Sequence, residues 1–137
     1  VVFNCTLFKF KNIKDKYGYL TPIESKVDIP FEIKRIYYIT KVEDGTARGF
    51  HSHRKLHQVL ICINGSVKIK AKNPNEEEII ELNDHSVGLY IGPYVWREMF
   101  DFSEGSVLLV LASEYYDEDD YIRNYDFYLD EAMRIYR

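Results

Sequence analysis

Short β-type runs recur along this chain, and nearly every one is closed by a turn signal. The runs are CTLFKF, YLTPIE, EIKRIYYITKV, QVLICI, SVKIKAK, EEIIEL, VGLYI, WREMFDF and SVLLVLA. Between them lie Asp44-Gly45, Asn64-Gly65, Asn73-Pro74-Asn75, Asn83-Asp84 and Glu104-Gly105. Evenly spaced short strands joined by tight turns predict an all-β sandwich or barrel. Asn64-Gly65 between two apolar runs is a strong hairpin signal, because both residues tolerate positive φ. The tail differs: from Asp117 to Tyr136 apolar residues recur at three- and four-residue steps. That periodicity predicts an amphipathic helix, with Asp117 and Glu118 at its start. The acidic run YYDEDDY lacks the spacing and glycine of a calcium loop and reads as solvated carboxylates at that helix start.

With 137 residues the chain is expected to form one domain covering its whole length. A net charge of −4 without a basic cluster argues against a nucleic-acid surface. No apolar run is long enough to span a membrane. The opening VVFNCTLFKFKN lacks a signal-peptide layout, and with only Cys5 and Cys62 the chain reads as a reduced, cytoplasmic protein.

His51 and His53 carry the chemical signal. Two residues apart on a strand, they share a face and aim at one wall of whatever the sheet encloses. Paired imidazoles in a pocket serve either proton transfer or metal binding. Around them, Gly45, five residues, His51-x-His53, four residues, Gln58, six residues and Gly65 follow the spacing of the first cupin motif. A degraded second motif runs from Gly88 to Glu98, with Pro93 in its turn. This likeness implies a cupin-type double-sheet β-barrel (jelly roll) with a short C-terminal helix. A closer resemblance covers nearly the whole chain. RIYYI (35–39), RGFHSH (48–53), LHQVLICINGS (56–66), VGLYIGPYVW (87–96) and VLASEYYDEDDYIRNYDFYL (110–129) are similar to the bacterial dTDP-4-dehydro-6-deoxyglucose 3,4-ketoisomerases. The resemblance implies a metal-independent, cofactor-free isomerase acting on a dTDP-sugar. It also implies a homodimer that exchanges N-terminal strands, and a role in making amino-deoxy sugars of bacterial surface glycans.

The donor set agrees with a metal-free reading. Metal-binding cupins use Glu where this chain has Gln58, and a motif-two histidine that VWREMF lacks. Moving a ketone from C4 to C3 needs only a base near neutrality and donors for a developing enediolate. The resemblance assigns the base to His51. His53, on the same face, is expected to relay a proton or donate to the enediolate oxygen. Tyr37 shares a strand face with Arg35 and is a further proton carrier or donor, while Tyr38 points away. Gln58 can hydrogen-bond the sugar with its amide. Arg48, with Arg35 second, is expected to grip the diphosphate. Trp96 and Tyr90 are the candidates for stacking on thymine.

Two positions depart from many relatives. Arg97 follows Val95-Trp96 where many members have His, and Tyr17 stands where many have Arg. Arginine is a poor acid, so with Arg97 the proton taken from C3 must return to C4 by another route. In a gluco product, C3–H of the substrate and the new C4–H lie on opposite ring faces, so one fixed base does not serve both. These departures point to the gluco product, dTDP-3-dehydro-6-deoxy-D-glucose. The alternatives are a galacto product, a dTDP-sugar 3- or 3,5-epimerase on the same fold, and a sugar-nucleotide-binding module without turnover.

Overall fold

The computed structural model describes residues 2–136. In chain order the strands are β1 (Cys5–Lys9), β2 (Ile13–Asp15), β3 (Gly18–Leu20), β4 (Arg35–Thr40), β5 (Arg48–His53) and β6 (Gln58–Asn64). There follow β7 (Val67–Lys72), β8 (Glu77–Leu82), β9 (Val87–Ile91), β10 (Trp96–Phe100), β11 (Val107–Ala112), the two-residue β12 (Tyr121–Ile122) and helix α1 (Tyr125–Ile135). One five-stranded sheet runs β1-β9-β6-β11-β4, and a second runs β12-β5-β10-β7-β8. Every ladder between these strands is antiparallel. This is the double-sheet barrel expected from the cupin spacing. Asn64-Gly65 does turn β6 into β7, with Gly65 at φ +77°.

Alternation explains the core. Along β7, Val67, Ile69 and Ala71 are buried while Lys68, Lys70 and Lys72 face outward. Leu60, Cys62, Leu89, Ile91, Met99, Leu108 and Val110 join them in one cluster between the sheets. The run in β6 is apolar on both faces because its outer face is also covered: Val59 and Ile61 pack under Phe10, Ile29 and Phe31. Cys5 and Cys62 are buried free thiols.

Two sequence expectations change. YLTPIE is not one strand, since only Gly18–Leu20 pairs, with Ile13–Asp15 in a separate hairpin. The prolines in its second half and beyond leave the stretch to Lys34 irregular apart from an isolated bridge at Ser25 and Ile29. The predicted helix over 117–136 begins only at Tyr125, where Asn124 caps it by accepting from Phe127 N. Asp117 instead caps a 3₁₀ turn over Glu118–Asp120, and Tyr121 and Ile122 then pair with β5. The helix is fastened over the second sheet by Tyr128. Its ring is fully buried, and its hydroxyl donates to Tyr94 O at 2.9 Å.

Candidate active site

Register builds the site. Tyr37 pairs with Val110, which pairs with Leu60; Arg35 pairs with Ala112, which pairs with Gln58. Cross-strand partners share a face, so Arg35, Tyr37 and Gln58 join Leu60 and Val110 on the inner face of the first sheet. On the second sheet, His51 pairs with Arg97, and Tyr121 pairs with His53. All four therefore lie on its inner face. A bulge between Arg97 and Glu98 lets one extra residue, Phe50, into β5. Gly49 at φ +93° and Phe50 at φ +56° absorb it. A side chain at Gly49 would also come within 3.0 Å of Arg97 O, so glycine is required there.

Two adjoining cavities result. One, about 550 Å³, is lined by Arg35, Tyr37, Arg48, Phe50, His51, Tyr121 and Arg123 among others. The other, about 450 Å³, is lined by Arg35, His53, Leu56, Tyr116, Asp120 and Tyr121 among others. Arg35 and Tyr121 belong to both walls. The imidazoles meet edge-on, with ring centroids 4.9 Å apart. Tyr121 lies against both, 5.1 Å from His51 and 4.3 Å from His53. The Arg123 guanidinium sits over the Tyr121 ring, 4.1 Å from its centroid, and is held there by Glu118 at 2.7 and 2.9 Å.

Gln58 and Arg97 stand behind this surface rather than on it, at 1% and 2% exposure. Arg97 Nη1 donates to Gln58 Oε1, and Nη2 to Val95 O at 3.2 Å. Both partners are neutral oxygens, so a buried cation forms the floor of the site. The position of the metal-binding Glu thus holds an amide whose oxygen is occupied by a guanidinium. Among the described residues, no three His, Cys, Asp or Glu side chains are placed to hold a metal ion. Gln58 passes the polarity on: its Nε2 donates to the Tyr37 hydroxyl at 2.9 Å. Because that oxygen accepts, the Tyr37 proton is free to point into the cavity.

These surroundings set the ionisation. Burial, and then the Arg97 charge, hold His51 neutral, with a pKa lowered to about 3, well below the near-neutral base expected from the reaction, so it rests unprotonated and able to accept a proton. The same two causes, in the same order, depress His53. Burial raises the Tyr37 phenol, opposed by Arg97 and by the Gln58 hydrogen bond. Buried side-chain atoms without a hydrogen-bond partner concentrate here: Arg35 Nε, His51 Nδ1, His53 Nε2 and Arg97 Nε. A native protein leaves few such atoms, and their clustering marks a surface made for a polar ligand.

Of the residues singled out from the sequence, Arg35, Tyr37, Arg48, His51 and His53 line the cavities. Five others do not: Gln58, expected on the sugar, and Arg97 are sealed behind the wall, with both ends of the Gln58 amide already bonded to Arg97 and Tyr37, and three more lie elsewhere. Trp96 points to the opposite side of β10, packing edge-on against Tyr125 at 5.0 Å under the helix. Tyr90 lies on the outer face of β9, hydrogen-bonded to His57 at 2.6 Å. Alternation puts each of them back to back with an inward neighbour, so within this chain neither can stack on a ligand in the barrel. Tyr17 tips the β2–β3 hairpin and is 85% exposed. Three residues of the site went unseen in the sequence: Asp120, Tyr121 and Arg123. The acidic run was expected to be solvated, yet Asp120 is 11% exposed and hydrogen-bonds His53. Pairing of Tyr121 and Ile122 with β5 brings this segment onto the histidines.

Fold and site together define a cupin-type barrel enzyme equipped for proton transfer. The FdtA family model (WxcM-like, C-terminal) matches residues 3–133, and the chain belongs to that family. It is 52% identical over 120 residues to a TDP-4-oxo-6-deoxy-alpha-D-glucose-3,4-oxoisomerase of Aneurinibacillus thermoaerophilus, covering 88% of this chain and 86% of that one. It superposes with a TM-score of 0.97 on QdtA, a sugar 3,4-ketoisomerase from Thermoanaerobacterium thermosaccharolyticum solved with TDP. That protein is 74% identical, and 98% of each chain is covered. The H51N mutant of QdtA, solved with TDP-4-keto-6-deoxyglucose, matches with a TM-score of 0.96 at 74% identity, over 98% of this chain and 97% of that one.

Proposed function

We propose that this isomerase converts TDP-4-keto-6-deoxyglucose to its 3-keto isomer with the gluco configuration at C4. The observation that carries the reading is a neutral, buried His51 opening into an arginine-lined cavity beside Tyr37. Arg35, Arg48 and Arg123 supply the charge for a diphosphate. His51 takes the C3 proton, made acidic by the adjacent ketone. Negative charge then develops on O4, facing the Tyr37 hydroxyl and the Arg97 charge behind it. Net, one proton leaves C3 and one enters C4, while one leaves O3 and one reaches O4. The Arg97 guanidinium does not release a proton near neutrality. C4 is therefore protonated by solvent from the face away from His51, which gives gluco.

The exposed hairpin residues Ile13, Tyr17, Tyr19 and Leu20 support a homodimer in which N-terminal strands are exchanged, bringing Tyr17 to the partner's cavity. A 3-keto product is ready for amination. This fits synthesis of 3-acetamido-3,6-dideoxyglucose for surface glycans in the cytoplasm.

The test is NMR of the reaction run in H₂O and, separately, in D₂O. In H₂O the ketone should move to C3, with a large H4–H5 coupling because both protons are axial. In D₂O the product should carry deuterium at C4. His51→Asn should abolish both. A small H4–H5 coupling would reverse the stereochemical assignment. Inversion at C3 or C5 with the ketone still at C4 would establish an epimerase, and binding without turnover a carrier module. Tyr17→Arg with Arg97→His should move the product towards galacto.

A further inference from the structure

Asp120 gives His53 a defined proton. Its Oδ1 accepts from Lys55 N at 2.7 Å, and its Oδ2 accepts from Leu56 N at 3.3 Å. The same Oδ2 lies 3.1 Å from His53 Nδ1. A carboxylate already accepting two backbone N–H groups has nothing to donate, so the shared proton belongs to Nδ1. The opposite nitrogen, Nε2, is buried and has no protein partner. The carboxylate is itself held rigidly. Arg54 N donates to Asp120 O at 3.0 Å, and Tyr121, next in the chain, is paired with His53 in the sheet. The Arg54 side chain reaches Asp119 O at 2.8 Å and the Glu131 carboxylate of α1 at 3.0 and 2.8 Å, tying the turn to the helix.

We infer that Asp120 is a positioning residue that fixes His53 as the Nδ1–H tautomer, so that His53 Nε2 accepts the O3 hydroxyl proton of the sugar. This rests on the ketoisomerase reading, in which His53 relays a proton, and adds the carboxylate that sets its tautomer. His51 handles the carbon-bound proton at C3. As C3 becomes a carbonyl, the electrons of the O3–H bond form the new C=O bond and the proton passes to His53 Nε2. The resulting imidazolium lies against the Asp120 carboxylate. His51 has no hydrogen-bonded carboxylate in its place. His53 then returns its proton to the Tyr37 oxygen that supplied O4, and His51 releases the C3 proton to solvent in place of the one solvent delivered to C4, so the enzyme is restored.

The experiment is ¹⁵N NMR of the histidine-labelled protein at neutral pH, with kinetics of Asp120→Asn. In the native protein the His53 Nδ1 should appear protonated and Nε2 bare, a readout that needs no turnover. In Asp120→Asn the amide oxygen can keep the Lys55 N–H while its NH₂ faces His53. The tautomer should therefore flip to Nε2–H, and kcat should fall about 100-fold or more with KM little changed. A native His53 protonated at Nε2, or a variant with flipped tautomer and near-native kcat, would overturn the proposal. A native protein with the expected tautomer but no ketone transfer would instead overturn the ketoisomerase reading.

Discussion

Replacing Arg97 by Met tests whether the buried floor charge does chemistry. The swap keeps length and removes the cation. Arg97 is 2% exposed and acts from behind the cavity wall; for a charge one side-chain layer behind O4 we take a separation of about 6 Å. At an effective dielectric of about 20, that separation is worth roughly 3 kcal/mol. A loss of that size slows the chemical step about 100-fold. Because the charge does not touch the diphosphate arginines, KM should stay near its native value, and the loss should fall on kcat. A second effect is independent of the first. Arg97 is the second cause, after burial, of the low His51 pKa. Without it the His51 pKa rises, and the acid limb of kcat/KM should move to higher pH. Stability should change little: relief of a buried charge opposes the cost, about 1–3 kcal/mol, of leaving Gln58 Oε1 unpaired. The assay is initial-rate kinetics on TDP-4-keto-6-deoxyglucose over a pH series, with melting curves on the same samples. A variant within about fivefold of native kcat, with an unmoved acid limb, would refute the reasoning.

Tyr37→Phe should lower kcat about 100-fold by removing the O4 donor, and cost about 1 kcal/mol of stability through the stranded Gln58 Nε2; chemical denaturation and steady-state kinetics separate the two. Acidification should destabilise the fold. His51 and His53 bind protons less well folded than unfolded, so the unfolded chain gains protons below about pH 6.5 and stability falls with pH from there towards about 3 for His51. Each histidine contributes at most about 1.4 kcal/mol per pH unit, and His53→Gln should give a shallower decline in melting temperature between those limits.

The barrel was legible because its signals are local. Turn pairs such as Asn64-Gly65 depend on φ preferences of two residues, and alternation in SVKIKAK follows from the pleat alone. The shared face of His51 and His53 is equally a matter of spacing. The shared face of Tyr37 and Arg35 followed from period two, as did the opposite direction of Tyr38, which is 68% exposed. Periodicity failed at the tail. The apolar residues from Tyr121 onward satisfy a helical repeat, yet Tyr121 and Ile122 gain more from pairing with the open edge of β5. Only the three-dimensional arrangement supplies that edge.

The sequence by itself determined which faces could be buried and which residue types were available for acid–base work. It could also show that Gln58 replaces the carboxylate of a metal-binding barrel. Tertiary structure decided what those side chains meet. Parity along a strand cannot say which face looks inward at Tyr90 or Trp96, because both faces of their strands are covered, one by the barrel and one by packed chain. Nor can spacing show that Arg97 would be sealed behind Gln58, or that Asp120 would leave solvent for His53. Each of these is a meeting of segments far apart in the chain. The register of antiparallel ladders fixes it, and no local preference encodes that register.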